Sequence, residues 1–423
     1  LVLEPRNEAA TYLLAARREP GILFAAGMTL TPVHPSGSRL TVAGLFAGIG
    51  GIELGLHHAG HVPTLLCESD PGACGVLATH FPGVPLSRDV RTLKTVGKVD
   101  LITAGFPCQD LSQAGRTAGI GGRQSGLVGH VFRLVDALKR RGPQWLLLEN
   151  VSFMLHLDRG NAMRYLIDEL EARGFAWAYR LVDSRAFGLP QRRQRVILLA
   201  SRSEDPRDVI LADDEGEDER PVFPDTWCGF YWTEGTRGLG WAEDAVPTLK
   251  GGSTIGIASP PAIWNPRDGS ISTPQICDAE RLQGFQADWT LPSIEGKGVR
   301  RGHRWKLVGN AVSVPVARWV GKRLARPGRF RASDADPLAR GVGWPRAAWG
   351  HRGQVFPVDV SMWPMRWPRE HLSDFISSPL VPLSERASAG FLGRARASSL
   401  VFQPGFLDAV ADHLERIRRA AVA

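Results

Sequence analysis

Short apolar runs alternate along the first half of the chain with stretches in which apolar residues recur at helical spacing. Leu40–Phe46, Val62–Cys67, Leu101–Ala104, Trp145–Leu148, Trp177–Val182 and Val196–Leu199 each read as a buried strand, and a further short strand ends near Asp89-Val90. Between them, Ile52–Leu56 runs to a stop near Gly60. Leu127, Val128, Val131, Phe132, Val135 and Leu138 share one helical face, and residues 161–173 form a helix closed by Gly174. Strands regularly separated by helices predict an α/β fold with a parallel sheet. In such sheets ligands and chemistry gather where strands end, so the residues that follow each strand carry the functional information.

The first strand delivers Phe46-Ala47-Gly48-Ile49-Gly50-Gly51, a glycine turn that lets backbone approach a ligand at a helix N-terminus. The second delivers Glu68-Ser69-Asp70-Pro71. Glu68, about 20 residues past the glycines, is placed to take ribose hydroxyls, whereas Asp70 before Pro71 reads as a helix N-cap. The third ends at Asp89, either a carboxylate facing an adenine amino group or a plain turn residue. The fourth runs into Gly105-Phe106-Pro107-Cys108-Gln109. A thiol at that outlet can react, although a lone cysteine reads first as a buried structural one, and only the residues further along overturn that. The fifth delivers Glu149-Asn150-Val151, which sets a carboxylate beside the thiol at one sheet edge. Later, Gln191-Arg192-Arg193-Gln194-Arg195 precedes a strand, so alternation puts Arg193 and Arg195 on one face and Arg192 on the other.

Composition narrows the class. The chain has 423 residues, 43% of them hydrophobic, enough for two or three folded units, and its formal charge of +8 suits a polyanionic partner. Its five cysteines contain no CxxC spacing, so neither a zinc site nor a disulfide framework is expected, and a reducing cytoplasm fits. No apolar run reaches membrane-spanning length and no signal-peptide pattern opens the chain. Residues 1–39 read as a weakly patterned extension and linker, with either Met28 the expected natural start or residues 1–27 a frayed extension. The acidic run Asp213–Glu219 reads as a solvated loop. Lys297, Arg300, Arg301, His303, Arg304 and Lys306 form a cluster suited to phosphates. Ser259-Pro260-Pro261-Ala262 lacks the aromatic residue of an amino-group methyltransferase motif.

Taken in order, the glycine turn, GFPCQ at 105–109, ENV at 149–151 and QRRQR at 191–195 resemble the cytosine carbon-5 DNA methyltransferase family. Ile276–Phe285 and Leu307–Pro315 continue the resemblance, which spans about residues 40–325. It implies a Rossmann-like S-adenosylmethionine-dependent methyltransferase sheet with a small inserted target-recognition domain and a C-terminal extension. The expected division is 1–39 extension, 40–200 catalytic and cofactor-binding domain, 201–262 target-recognition region, 263–330 return segment and 331–423 extension of unknown role. Helices are expected at 384–398 and 405–419.

The resemblance also implies a chemistry. Cys108 is the nucleophile toward carbon 6 of a cytosine flipped from duplex DNA; Glu149, protonated, bonds ring nitrogen 3; Arg193 and Arg195 orient the base, Arg195 nearest its carbonyl. Gln109, Asn150 and Gln191 support these groups, and Arg281 is structural. The expected positions for S-adenosylmethionine are Phe46, Gly48, Gly50, Glu68, Asp89 and Pro107 along the sheet edge, with Asn310 and Val312 resting on the resemblance alone. No metal is expected. The implied setting is a bacterial restriction-modification methylase, cytoplasmic and acting at the nucleoid as a monomer on double-stranded DNA, with a cognate endonuclease in the same system and no membrane contact. The competing readings are an RNA cytosine carbon-5 methyltransferase and a catalytically silent DNA-binding protein.

Overall fold

The computed structural model describes residues 39–107, 126–138, 142–217, 222–251, 258–294, 302–332, 336–339 and 341–422. Cys108 and Gln109 lie outside the described residues, as do Lys297, Arg300, Arg301, Met28 and the linker before residue 39.

The strands in chain order are β1 (Thr41–Leu45), β2 (Val62–Cys67), β3 (Leu86–Ser87), β4 (Leu101–Ala104), β5 (Trp145–Val151), β6 (Ala176–Asp183), β7 (Gln191–Arg192) and β8 (Gln194–Ser201). After these come β9 (Cys228–Phe230), β10 (Ala242–Glu243), β11 (Val246–Pro247), β12 (Ala262–Asn265), β13 (Ser270–Thr273), β14 (Ala347–His351), β15 (Gln354–Pro357) and β16 (Val381–Pro382). Nine of them form the main sheet, in the order β15-β14-β6-β8-β5-β4-β1-β2-β3. The β3-β2-β1-β4-β5 half is parallel, and β8 is antiparallel to both β5 and β6. The parallel strands are largely apolar because helices cover both faces, and the polar Glu149 and Asn150 stand at a strand end. The chain order reverses between β1 and β4, so the crevice at their C-terminal ends is the place for a ligand.

Helix Gly51–His58 follows β1 and packs on helix Val314–Ala325, which returns from far along the chain. The approach is close: a side chain at Gly51 would run into the carbonyl oxygen of Val312, and one at Gly55 would meet that of Val314. Thus the return segment closes over the glycine turn.

A second sheet has the order β10-β9-β12-β13-β16. Here the expected division shifts. Position 262 begins β12 instead of ending a region, and β13 continues the same sheet. The extension from residue 331 is not separate either. Its hairpin β14-β15 lengthens the main sheet beside β6, while β16 and helices Glu385–Arg396 and Phe406–Val422 complete the small sheet's core. In that core Phe406 meets Phe230, Trp241 and Trp264 at ring centroid distances of 4.9, 5.1 and 5.4 Å.

The described part of the acidic run is a loop with Asp214, Glu215 and Glu217 exposed, as expected, and it is also anchored. Buried Arg180 pairs with Asp214 at 2.8 Å, Arg323 with Asp213 at 3.2 Å and Arg346 with Glu217 at 3.0 Å. Arginines on three elements thus hold its described part against the main body, leaving only residues 218 and 219 of the run undescribed.

Candidate active site

The site grows from the strand ends. Past β1 the backbone turns left-handed at Phe46 (φ 55°), Gly48 (φ 56°) and Gly50 (φ 85°). Phe46 adopts a conformation that is costly for a residue with a side chain, the kind of strain that collects at ligand sites. Space beside the Gly48 Cα is open. Glu68, at the end of β2, closes this turn: its Oε2 accepts from the Gly48 N–H at 2.8 Å and its Oε1 from the N–H groups of Ser69 and Asp70, both at 2.8 Å. Asp70 is the N-cap of helix Pro71–His80, accepting from Gly72 and Ala73 as its sequence implied. Asp89 takes the turn geometry. Arg91 binds its carboxylate through Nε at 2.9 and 3.0 Å, and this holds the carboxyl below its usual range.

Phe106 and Pro107 follow β4. The Phe106 carbonyl accepts from Asn150 Nδ2 at 3.0 Å, and Asn150 Oδ1 accepts from the Val151 N–H at 2.9 Å. One buried amide therefore ties the outlet of β4 to that of β5, fixing the backbone that leads into Cys108.

Glu149 is buried on β5. Register pairs Glu149 with Ile197 and Val151 with Arg195, so Glu149 and Arg195 are diagonal neighbours on one sheet face. Arg195 Nε stands 3.0 Å from Glu149 Oε1, an ionic contact that lacks the alignment of a hydrogen bond. Burial raises the Glu149 carboxyl above its usual range, and Arg195 and Arg193 only partly offset this.

Arg193 departs from expectation. It is fully buried, and its guanidinium donates to the carbonyls of Leu249 (3.2 Å), Gly309 (3.2 Å) and Ala311 (2.5 Å). Gln191 likewise donates to Leu282 O at 2.7 Å and accepts from Leu249 N at 3.1 Å. Alternation correctly separated Arg193 from Arg192, but the face shared with Arg195 continues past the strand end into packed backbone. Of the two arginines, Arg195 reaches the carboxylate and Arg193 braces the return segment.

The return segment itself is fixed by Gln283, which donates to Val308 O at 3.0 Å and accepts from Ser313 Oγ at 2.7 Å. Val312 lies beside Gly105 and Gly51, whereas Asn310 is exposed next to Gly251. Arg281 is structural as expected, reaching Phe375 O at 2.7 Å and Ser377 Oγ at 2.6 Å. The basic cluster is a correction. His303 Nε2 and Lys306 Nζ bind Asp70 at 2.8 and 3.1 Å, and Arg304 pairs with Glu280 and Asp288, both at 2.9 Å. These three serve internal carboxylates, because the segment folds back onto the helix that Asp70 caps.

Sequence reasoning missed Glu53. It is buried in the first turn of helix Gly51–His58, where Thr103 Oγ1 donates to its Oε1 at 3.0 Å and Oε2 has no hydrogen-bond partner. Burial pushes its carboxyl up to about 7. An acid in a first helical turn ordinarily reads as a dipole-complementing surface residue, which hid it.

A sheet whose parallel half carries a glycine turn at its switch point, a ribose-spaced carboxylate and a buried Glu–Arg pair suits an enzyme with a nucleotide cofactor. The chain matches the family model for C-5 cytosine-specific DNA methylase over residues 40–225. It is 49% identical over 379 residues to the Type II methyltransferase M2.BsuMI of Bacillus subtilis (strain 168), covering 88% of this chain and 97% of that protein. It is 28% identical to M.Bsp6I of Bacillus sp. (strain RFL6), over 67% of this chain and 98% of the other. In fold it is similar to the S. pombe Dnmt2 methyltransferase, with a TM-score of 0.50 and 18% identity over 68% of this chain and 98% of that one. The chain belongs to the C-5 cytosine-specific DNA methylase family. It is a DNA cytosine-5 methyltransferase of the restriction-modification type, and its methyl donor is S-adenosylmethionine. The Gly48 turn, with open space beside it, amide groups at a helix start and Glu68 across from it, fits that cofactor.

Proposed function

We propose that the chain methylates one cytosine within a short double-stranded DNA sequence, after flipping that base into the crevice beside β4 and β5. The supporting observation is the buried Glu149–Arg195 pair, set next to the Phe106-Pro107 turn that Asn150 holds. S-adenosylmethionine supplies an electrophilic methyl group at the sheet edge, with Phe46, Gly48, Gly50, Glu68, Pro107 and Val312 as its holders. Asp89 and Asn310 stand further out in this assignment.

The protein's own part is to make carbon 5 nucleophilic. The Cys108 thiolate adds to carbon 6, and the displaced electron pair spreads toward nitrogen 3 and the ring carbonyl. Glu149, whose carboxyl burial raises, donates in its protonated form to nitrogen 3, and Arg195 stabilises charge at the carbonyl. Once carbon 5 carries the methyl group, its proton leaves to a base, the carbon–sulfur bond breaks and the thiolate returns. Gln109, Asn150, Gln191 and Arg193 hold this arrangement in place.

The small sheet, built from 222–275 and the end of the chain, is the target-recognition unit. The protein works as a monomer in the bacterial cytoplasm beside a cognate endonuclease. Among the described residues no helix is long and apolar enough to cross a membrane. The test is denaturing mass analysis after incubation with duplex DNA carrying 5-fluorocytosine, from which the carbon-5 proton cannot leave. A trapped DNA adduct mapped to Cys108, abolished in Cys108→Ser with cofactor affinity retained, is the expected result. A methylating Cys108→Ser protein would overturn it. Bisulfite sequencing of plasmid from expressing cells reads the target sequence itself.

A further inference from the structure

The end of the chain does more than fill the small domain: it grips one particular loop. Residues 231–240 connect β9 to β10 and are closed by bonds from Tyr231 N to Leu239 O and from Gly235 N to Gly238 O, both 2.9 Å. Thr236 and Arg237 stand exposed at the tip, beside a depression of about 430 Å³. Among the described residues Arg237 has no hydrogen-bond or ionic partner, while Lys250 beside the loop is held by Glu234 at 2.5 Å and lies over the Tyr231 ring.

Helix Glu385–Arg396 sets the position of this tip. Arg394 Nε donates to Glu234 O at 3.0 Å and Nη2 to Trp232 O at 2.7 Å. Gly235 sits at φ 111° with its Cα facing Phe391, close enough that an added methyl would stand 3.1 Å from the ring. A guanidinium and an aromatic ring of the last hundred residues thus seat both sides of the loop. The foot of the loop connects to the catalytic edge: Tyr231 Oη donates to Thr248 O at 2.7 Å, and Thr248 Oγ1 to Arg192 O at 2.9 Å. The foot is therefore two hydrogen bonds from the segment that leads into Arg195.

We propose that Arg394 is a specificity-positioning residue, holding the 231–240 loop so that Arg237 reads a guanine flanking the target cytosine in the major groove. The planar fork of an arginine matches O6 and N7 of guanine, and one such pair discriminates by about 1–3 kcal/mol, or roughly 5- to 150-fold. The proposal rests on the small sheet being the recognition unit.

The test uses the full chain and a duplex library randomised around the target cytosine, read by bisulfite sequencing. Hydrogen exchange with and without cognate duplex is recorded on the same preparations. Arg237→Ala is expected to lose preference for guanine at one position, Arg394→Met to relax that same position, and Arg394→Lys to restore it in part, all with cofactor affinity unchanged. Gly235→Ala, which strains the loop without touching Arg394, is expected to act like Arg394→Met and covers the case in which the latter does not fold. Relaxation by Arg237→Ala but by neither Arg394→Met nor Gly235→Ala overturns the positioning role. DNA protection of 228–273 with no shift of preference in any variant overturns the whole proposal and leaves the recognition unit standing. No protection there removes the recognition unit as well.

Discussion

Glu149 and Arg195 meet diagonally across the β5–β8 ladder, with the arginine Nε 3.0 Å from the carboxyl oxygen. Burial raises the carboxyl above its usual range, and the arginine neighbours pull it back only in part. Glu149 is thus poised as a donor beside a fixed positive charge. Glu149→Gln preserves shape but donates as a far weaker acid. Single-turnover methyl transfer is expected to fall ~100-fold or more with cofactor affinity retained. A rate within a few-fold of normal would remove Glu149 from the chemistry.

Arg193 should behave in the opposite way. Its donors satisfy three buried carbonyls, that of Leu249 and two of the return segment, Gly309 and Ala311. Arg193→Met leaves those acceptors unpaired, at a cost of roughly 1–3 kcal/mol for each such group. Melting temperature should drop while the rate per folded site, titrated with labelled cofactor, stays near normal. Arg195→Met should do the reverse, keeping the fold and losing the rate. Equal effects on both properties from both variants would contradict this division.

How far the sequence carried this reading depended on where each residue's partners lie. Glu149, Asn150 and the glycine turn were legible because each follows its own strand directly, and a strand end is a local pattern. Asp70 as an N-cap was legible for the same reason. Arg193, His303 and Lys306 were misread, and the anchoring of the acidic run was missed, because their partners are distant in the chain. Arg193 reaches carbonyls near residue 310, and Asp70 draws in residues 303 and 306. Side-chain type proposes a charge, and only the fold decides whether a phosphate or an internal carboxylate receives it. The chain end was obscure because more than half of the small domain's buried core, Leu383 to Leu414, lies over a hundred residues beyond strands β9 to β13.

That division of the core makes Phe406 decisive for the small domain. Its ring is fully buried among Phe230, Trp241 and Trp264. Phe406→Ala is expected to cost about 3–5 kcal/mol. The loss should be regional: hydrogen exchange should speed up in 228–273 and 385–422, with β1, β4 and β5 unchanged. Uniform loosening of both sheets would mean that they unfold as one unit.

Glu53 gives the molecule a pH-dependent stability of unusual sign. Most acids in folded proteins are held below their solution range, so stability falls in acid. Glu53 is the reverse: desolvation dominates the bond from Thr103, the negative charge of Glu68 pushes the same way, and its carboxyl titrates near 7 in place of 4.5. Between those values the folded state holds a proton that the unfolded chain has released, so folding weakens as pH rises through this window. The stabilisation is whole below about 4.5 and fully lost above about 7. At roughly 1.4 kcal/mol per pH unit the loss approaches about 3 kcal/mol. Glu53→Gln keeps an acceptor for Thr103 and cannot ionise. Denaturant midpoints of the two proteins, compared at pH 5 and pH 8, should therefore diverge, with the glutamine variant gaining on the parent at the higher pH. A difference that stays constant between those values would mean that the carboxyl finds a counter-charge and ionises normally beneath the glycine turn.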